Sequence, residues 1–250
     1  MKQPLIIAHR GASAHAPENT LSAFELAIRE KADGIEMDVW LCASGEAVVT
    51  HNRNVAILTG RAGNLEKMTL RQLKALDFGG FKATQFYREK IPTLEEVLDL
   101  AKNMELINIE IKGVQVRSNG IELAVAEAIM KFNLLRRVIV SSFNPAALLR
   151  IQSLNPAIKT GLLFYEKSPM ALRQAWSTKL VDPYSLHPSY SLLKKTMIQK
   201  AQEKKHKIFT WTINYPEQVD HCVKLGVDGM ITDDPGWMRK LLENSTMEEE

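Results

Sequence analysis

The chain has 250 residues, of which 45% are hydrophobic and 24% charged, and this composition is ordinary for a globular protein with a sizeable core. The net charge of +3 arises from mixed signs, which excludes a charge-based argument for a nucleic-acid partner or a stable membrane association. No stretch approaches the apolar length of a membrane span. The first apolar run is too short for a signal peptide and the two cysteines lack metal-site spacing, so we expect a cytoplasmic protein.

Short extended runs alternate with helical patterns along nearly the whole chain. In the first helical pattern, the apolar residues from Leu21 to Ile28 recur on one face. Strands are predicted at 4–9, 33–41, 46–51, 106–112, 137–143, 158–164, 181–187, 207–213 and 228–233. Helices are predicted at 18–31, 93–103, 120–132, 144–154, 169–176, 191–205, 216–226 and 235–244.

This alternation makes about eight βα units, and such repeats favour a parallel sheet covered by helices. An open doubly wound sheet is the alternative. However, no glycine-rich G-x-G-x-x-G turn follows the first predicted strand. The number of units and the length of the chain therefore favour an α/β fold of the closed (β/α)8 barrel type.

Two segments depart from the repeat. Residues 53–90 stand where a barrel helix should follow the strand that ends at His51, and this interval is far longer than a normal connection. It predicts a small inserted lobe with one short helix at 69–76. The polar and acidic stretch 244–250 predicts a disordered tail. The sequence therefore predicts a single domain over residues 1–243 with the lobe inside it.

Polar residues collect at the ends of the predicted strands, which in a parallel barrel face one side and build the active site there. Glu36 and Asp38 are two residues apart, so their side chains share a face, and inside a barrel they would converge beside His9. Glu110 and Lys112 have the same spacing on another strand. Bare carboxylates inside a barrel are costly unless a cation pairs with them, and hard oxygen ligands suit Mg²⁺ or Ca²⁺.

Each of these residues also has a purely structural interpretation. An E-x-D pair on a strand is often an exposed edge pair, and His9 or His51 could each be a satisfied structural histidine. Lys112 could serve only as the ion-pair partner of Glu110, and Trp211 is more often core packing than a ligand platform. The shared location of these groups at strand ends favours function. His187 stays ambiguous because it ends a strand, and no chemistry is assigned to the remaining histidines, His15, His206 and His221.

A set of motifs runs in order along the chain. It comprises HRG…PENTLSAF (9–24), DGIEMDVWLCASGEAVVTHN (33–52), IPTLEEVL (91–98), NIEIK (108–112), VSSFNP (140–145), TWTIN (210–214) and GVDGMITDDP (226–235). Taken together, these motifs closely resemble the glycerophosphodiester phosphodiesterase family over almost the whole chain. Each motif alone is weak, but the ordered combination is highly specific.

The resemblance implies a TIM barrel with an inserted lobe after the second strand. It implies hydrolysis of glycerophosphodiesters to sn-glycerol 3-phosphate and an alcohol, through a cyclic phosphate formed by the neighbouring hydroxyl of the glycerol. One divalent cation, Mg²⁺ or Ca²⁺, would be held by Glu36, Asp38 and Glu110. The acid–base pair would be His9 and His51. Residues matching the family's substrate site are Arg10, Glu18 and Lys112. We also expect apolar surface for the glycerol carbons from Phe164 and Trp211.

Two alternatives stay open. The same barrel could serve a lysophospholipase D-type or phosphoinositide-type phosphodiesterase, which would need an apolar entrance. A non-catalytic glycerophosphodiester-binding module is disfavoured, because both histidines and all three carboxylates are present and a binding module would not need them. The sequence leaves open the preferred alcohol, the metal, which histidine is the acid, and whether the chain forms a homo-oligomer.

Overall fold

A computed structural model describes residues 3–113, 117–173 and 181–247. Its strands are β1 (Leu5–His9), β2 (Gly34–Leu41), β3 (Ala47–Val49), β4 (Leu106–Ile111), β5 (Val138–Ser142), β6 (Lys159–Phe164), β7 (Ser185–Pro188), β8 (Lys207–Thr210) and β9 (Gly229–Thr232). Its helices are α1 (Leu21–Arg29), α2 (Ala56–Thr59), α3 (Leu70–Lys74), α4 (Leu94–Ala101), α5 (Ile121–Lys131), α6 (Pro145–Leu154), α7 (Met170–Arg173), α8 (Lys195–Glu203), α9 (Pro216–Leu225) and α10 (Pro235–Met247).

Eight strands form a closed parallel barrel in the order β1, β2, β4, β5, β6, β7, β8 and β9. The barrel closes because β1 pairs with β9 as well as with β2, with Leu5 opposite Gly229 and Ala8 opposite Thr232. This closure confirms the (β/α)8 prediction. It rules out the open doubly wound sheet, in which the first and last strands of the series would not meet.

The strand predicted at 46–51 is not a barrel strand. Its central part forms β3, which runs antiparallel to β2 with Leu41 opposite Ala47. The reason is the tight turn between the two strands, where Gly45 adopts a φ of +97° and the Cys42 amide donates to the Glu46 carbonyl. Such a short connection can join only antiparallel strands, because a parallel crossover needs a dozen or more residues. The helix that completes the second βα unit is therefore α4.

Between β3 and α4, residues 53–90 form a lobe that contains α2, α3 and two short 3₁₀ helices. The predicted helix at 69–76 corresponds to α3, which Thr69 caps through a reciprocal pair of hydrogen bonds with Gln72. Leu65, Leu73 and Phe78 are buried in a small apolar cluster that also includes Val48 of β3. The lobe therefore has a core of its own, anchored on the β2–β3 hairpin.

Side-chain alternation on the barrel strands separates the core from the site. Along β2, Ile35, Met37 and Val39 are buried in the main apolar cluster, which also contains Phe24 of α1 and Val97 of α4. These residues face the helices. The side chains between them, at positions 36 and 38, therefore face the barrel interior, since successive side chains of a strand point to opposite faces.

At its C-terminal end the chain differs from the sequence expectation. Helix α10 continues to Met247, so the first part of the stretch predicted as a disordered tail is helical, and 248–250 lie outside the described residues. The predicted helix at 169–176 corresponds to α7, and its positions 174–176 likewise lie outside them. Within the described parts of the chain, no helix is long and apolar enough to span a membrane.

Candidate active site

The first strand ends in a turn that carries both a histidine and a cation to the barrel rim. Arg10 and Gly11, directly after β1, have φ values of +57° and +82°. A Cβ at Gly11 would lie 2.6 Å from the backbone carbon of Ala23, so only glycine fits at this position. The turn leaves His9 and Arg10 lining one cavity of about 730 Å³ at the C-terminal side of the barrel. The histidine and arginine that follow the apolar run 4–8 are therefore candidate site residues.

Three carboxylates converge inside the barrel at this rim. Glu36, Asp38 and Glu110 are all buried, and one oxygen of each lies within 4.8 Å of the others. The register explains the arrangement, because His9 stands opposite Glu36 between β1 and β2, and Asp38 stands opposite Glu110 between β2 and β4. The structure thus brings together the carboxylates that the sequence predicted as metal ligands.

Two cations contact these carboxylates. Arg10 Nε lies 3.2 Å from an oxygen of Asp38, and its backbone amide donates to Glu36 at 3.1 Å. Lys112 Nζ lies 2.8 Å from Glu110 and 3.2 Å from Asp38. The resemblance to the family placed both cations in the substrate site. In the structure they border the cavity while balancing part of the carboxylate charge.

Glu18 and Asn19 hold this arrangement from the segment before α1. Arg10 Nη1 donates to Glu18 at 3.1 Å. The Asn19 side chain donates to Asp38 at 2.8 Å and accepts from its backbone amide at 3.2 Å. The helix predicted from residue 18 begins at Leu21, because Thr20 is its N-cap. Glu18 and Asn19 are therefore free to serve the site rather than the helix.

The charges in this cluster are not fully balanced. Burial, together with repulsion from Asp38 and Glu110, raises the pKa of Glu36 well above its usual range. Burial also raises the pKa of Glu110 to about 7. The pKa of Asp38 is lowered instead. Burial alone would raise it, but the positive charges of Lys112 and Arg10 outweigh this effect. Hard oxygen donors crowded in this way fit a divalent cation, which would relieve their mutual repulsion.

His51 reaches the same cavity from outside the barrel strands. It follows β3, and its backbone carbonyl accepts a hydrogen bond from the Trp40 indole at 3.2 Å, which ties it to β2. Its side chain lines the cavity with His9. Burial lowers the pKa of His51, although the nearby Asp38 opposes this effect. His51 and His9 therefore share one cavity although they come from different parts of the fold.

The apolar wall of the cavity differs from the prediction. Phe164 is buried among Leu148 and Leu186 in the layer between strands and helices, so its assignment to the substrate is wrong. The prediction chose the wrong face of the strand. Side chains alternate between the two faces, and the neighbours Leu163 and Tyr165 are the residues that line the cavity.

Trp211 lines the cavity, and its predicted contact with the glycerol carbons stays a prediction. Its indole donates to the His187 carbonyl at 2.9 Å, which fixes the ring. Phe143 packs edge-on against both Trp211 and Tyr165, with ring centroids 5.7 and 5.8 Å apart respectively. The cavity thus has an aromatic wall made of Phe143, Tyr165 and Trp211.

The other histidines lie away from this chemistry. His15 pairs with Asp234 at an exposed position, and His221 contacts Tyr190 on the surface. His206 is buried and bonds to the Pro183 carbonyl. His187, which the sequence left ambiguous, is buried inside the barrel with Nε2 2.8 Å from Ser185, and burial lowers its pKa to about 3.

Besides the aromatic residues Phe143 and Tyr165, two polar residues that contact the carboxylates or His9 were not singled out from the sequence. One is Asn19, which lies in the PENT motif, and the other is Asp233, whose carboxylate lies 2.6 Å from His9 Nδ1. The signal for Asp233 was available, since it directly follows β9, and in a closed barrel the last strand adjoins the first.

Comparison with known proteins agrees with this geometry. A model of the glycerophosphoryl diester phosphodiesterase family matches residues 9–237. A glycerophosphodiester phosphodiesterase of Caldanaerobacter subterraneus is 40% identical over 233 residues, which cover 92% of this chain and 94% of that protein. One of Bacillus altitudinis is 34% identical over 246 residues, which cover 95% and 98%.

Solved structures show the same relationship. An Oleispira antarctica phosphodiesterase in complex with the product sn-glycerol-3-phosphate has a TM-score of 0.83 at 28% identity, covering 96% of this chain and 97% of that one. A structure from Silicibacter pomeroyi, described as a glycerophosphoryl diester phosphodiesterase, has a TM-score of 0.87 at 26% identity, covering 98% and 94%. The chain therefore belongs to the glycerophosphoryl diester phosphodiesterase family and is an enzyme of the phosphoric diester hydrolase class.

Proposed function

We propose that the protein hydrolyses glycerophosphodiesters to sn-glycerol 3-phosphate and an alcohol by metal-dependent acid–base catalysis with His9 and His51. The observation that carries this proposal is the convergence of Glu36, Asp38 and Glu110 in one cavity with both histidines. The product-bound structure of the Oleispira antarctica relative supports a glycerol phosphate ligand.

The three carboxylates would hold one divalent cation, Mg²⁺ or Ca²⁺. When bound, such an ion supplies positive charge that stabilises the charge developing on the phosphate in the transition state. Arg10 and Lys112 border the cavity and would bind the phosphate oxygens. Glu18 holds the Arg10 guanidinium from the side, which restricts its orientation and prepares it for a planar, bidentate contact.

The two histidines would divide the proton transfers between them. One takes the proton of the glycerol 2-hydroxyl, whose oxygen attacks phosphorus, while the other protonates the departing alcohol oxygen. The P–O bond to the alcohol breaks, and a cyclic glycerol phosphate forms. Water then opens this ring, with the histidines exchanging roles. The neighbouring hydroxyl has a proximity advantage over water, because it is already part of the bound substrate.

The aromatic wall would receive the alcohol. Phe143, Tyr165 and Trp211 offer flat apolar surface beside the phosphate-binding cations. This wall also favours a second candidate, a lysophospholipase D-type reaction, in which the acylated glycerol rather than the alcohol would lie against it, because an apolar surface can accept an acyl chain. Glycerophosphocholine and lysophosphatidylcholine distinguish the two, since only the second carries an acyl chain.

The test is a phosphodiesterase assay on both substrates with and without a chelator. We expect glycerophosphocholine to be cleaved, chelator to abolish the reaction, and Mg²⁺ or Ca²⁺ to restore it. The Glu36→Gln variant should need a higher metal concentration for half-maximal turnover, because one ligand charge is lost. Full activity in saturating chelator, with no metal detected by elemental analysis, would exclude the metal-dependent reaction.

A second arm of the assay uses a glycerophosphocholine analogue without the 2-hydroxyl. It should bind as an inhibitor, because the phosphate contacts are unchanged, but it should hardly turn over. Comparable turnover of the two compounds would mean that water attacks phosphorus directly and that no cyclic phosphate forms.

A cytoplasmic location is part of the same proposal. Cys42 and Cys222 are both free thiols, as is usual for proteins of a reducing compartment.

A further inference from the structure

His9 shares a short hydrogen bond with an acidic residue from the far end of the chain. Its Nδ1 lies 2.6 Å from Oδ1 of Asp233, the residue directly after β9. Closure of the barrel makes this contact, because β1 and β9 are neighbours although the two residues are 224 positions apart. Asp233 is not one of the three clustered carboxylates, so its charge is directed at the histidine rather than at the metal site.

The Asp233 carboxylate is held at both oxygens. Ser13 Oγ donates to Oδ1 at 3.1 Å, and Asn214 Nδ2 donates to Oδ2 at 2.7 Å. The side-chain Oδ1 of Asn214 in turn accepts from the Asp233 backbone amide at 3.0 Å and from Thr232 Oγ1 at 3.1 Å. The carboxylate therefore cannot rotate away from His9 without breaking several bonds at once.

The charge state of Asp233 fixes the direction of the hydrogen bond. Burial favours its neutral form, but hydrogen bonds from His9, Asn214 and Ser13 prevail and lower its pKa to about 2. An ionised carboxylate can only accept hydrogen bonds, so the proton between the two groups belongs to His9 Nδ1. The other ring nitrogen, Nε2, is then the atom left for proton exchange.

We propose that Asp233 is the positioning residue for His9: its anchored carboxylate fixes the Nδ1–H form and the ring orientation, so that Nε2 exchanges the proton with the substrate. This inference rests on the proposed role of His9 in acid–base catalysis. Asp233 acts through His9, since it is not one of the residues that line the cavity shared by His9 and His51. His51 lies outside the barrel strands and is held through its backbone by Trp40, so the two histidines are oriented by different means.

The neighbouring residue provides a matched control. Asp234 also contacts a histidine, His15, at 2.9 Å, but that histidine is exposed on the surface. Asp234 Oδ1 accepts from the Trp237 amide at the start of α10. In Asp234→Asn the amide oxygen can still accept that bond, so this variant removes one carboxylate charge next to Asp233 without affecting His9.

The experiment compares Asp233→Asn, Asp233→Ala, Asp234→Asn and Ser13→Ala with the unaltered enzyme on glycerophosphocholine. We expect kcat to fall about 10- to 100-fold in both Asp233 variants, because a badly oriented histidine loses part of the rate that a general acid or base contributes. KM should change less than about twofold. The Asp234→Asn variant should keep the wild-type kcat. The Ser13→Ala variant should lose at most about threefold, because the His9–Asp233 bond remains.

Nitrogen NMR of the histidine side chains gives a readout that does not depend on turnover. In the metal-free enzyme His9 should show the Nδ1–H form, and Asp233→Ala should convert it to a mixture of forms. A wild-type His9 in the Nε2–H form, or Asp233 variants with unchanged kcat, would overturn the proposal. If the enzyme has no activity on any glycerophosphodiester, the proposed function fails, while the NMR result still decides the positioning of His9.

Discussion

His9 and His51 reach the cavity from different kinds of structure, one at the end of a barrel strand and one after a hairpin outside the barrel. We expect His9→Ala and His51→Ala each to lower kcat by about 10²–10⁴-fold, because each removes one proton-transfer group. His15→Ala, at an exposed position, is the control and should retain full activity. Circular dichroism checks that the variants fold. Near-normal turnover of either variant would remove that histidine from the acid–base pair.

The positions of site residues could be predicted from the sequence wherever a rule of strand geometry applied. Glu36 and Asp38 could be placed together because side chains two apart on a strand share a face. The same rule could not be applied at Phe164. The end of β6 is apolar at successive positions, so the sequence does not show which side chains face the barrel interior and which face the helices. Tyr165 lies just past that strand, where no period applies. The contact of Asp233 with His9 could not be predicted without knowing that the last strand of the barrel pairs with β1.

Among the elements, the lobe at 53–90 begins two residues after His51 and therefore starts beside the cavity. Within the described residues, Arg53 is its member that lines the cavity, and Arg53 also pairs with Glu66 at 3.1 Å. The rest of the lobe packs on the hairpin and on the loop after β1, where Lys82 donates to the Ser13 carbonyl. The influence of the lobe on the substrate should therefore be concentrated in Arg53.

We predict that Arg53→Ala changes the preference among alcohols. Removing a cation beside the cavity should raise kcat/KM for the cationic choline ester relative to the neutral glycerol ester. The expected change is about two- to fivefold, since Arg53 is half-exposed and its field is screened by solvent. Arg61→Ala, an exposed position of the same lobe, is the control. An unchanged ratio of kcat/KM values would show that the lobe does not influence alcohol choice.

The order of strands and helices could be predicted because βα repeats leave two distinct periodicities in the sequence. The hairpin of β2 and β3 could not, because an extended run looks the same whether its partner is parallel or antiparallel. Only the short connection between the runs, with Gly45 at its turn, carried that information. The ends of helices were also less certain than their existence. Thr20 is the N-cap of α1, and the helical pattern alone did not separate the two site residues before it from the helix.

At the scale of the whole molecule, the barrel interior contains a histidine that makes stability depend on pH. Burial lowers the pKa of His187 to about 3 in the folded protein, whereas the unfolded chain has the ordinary value near 6.5. Between these values the unfolded chain binds more protons, so lowering the pH favours unfolding. This one group should reduce the free energy of unfolding by about 2 kcal/mol between pH 7 and pH 5.

Urea unfolding of the wild type and of His187→Gln at both pH values measures this contribution. Between pH 7 and pH 5, the free energy of unfolding of the glutamine variant should fall by about 2 kcal/mol less than that of the wild type, because glutamine does not titrate. The His15→Gln variant, altered on the surface, should follow the wild type. Equal losses for wild type and His187→Gln would mean that His187 takes up its proton in the folded state.

Pairing of the first strand with the last has a consequence for how the enzyme comes into being. A chain made from its N-terminus exposes β1 early, yet β9 is synthesised some 220 residues later, since Leu5 stands opposite Gly229. Until then the edge of β1 lacks its partner and His9 lacks Asp233. Contacts of such long range are slow to form, because a large loop must close first. Catalytic competence should therefore be among the last properties that the newly made protein acquires.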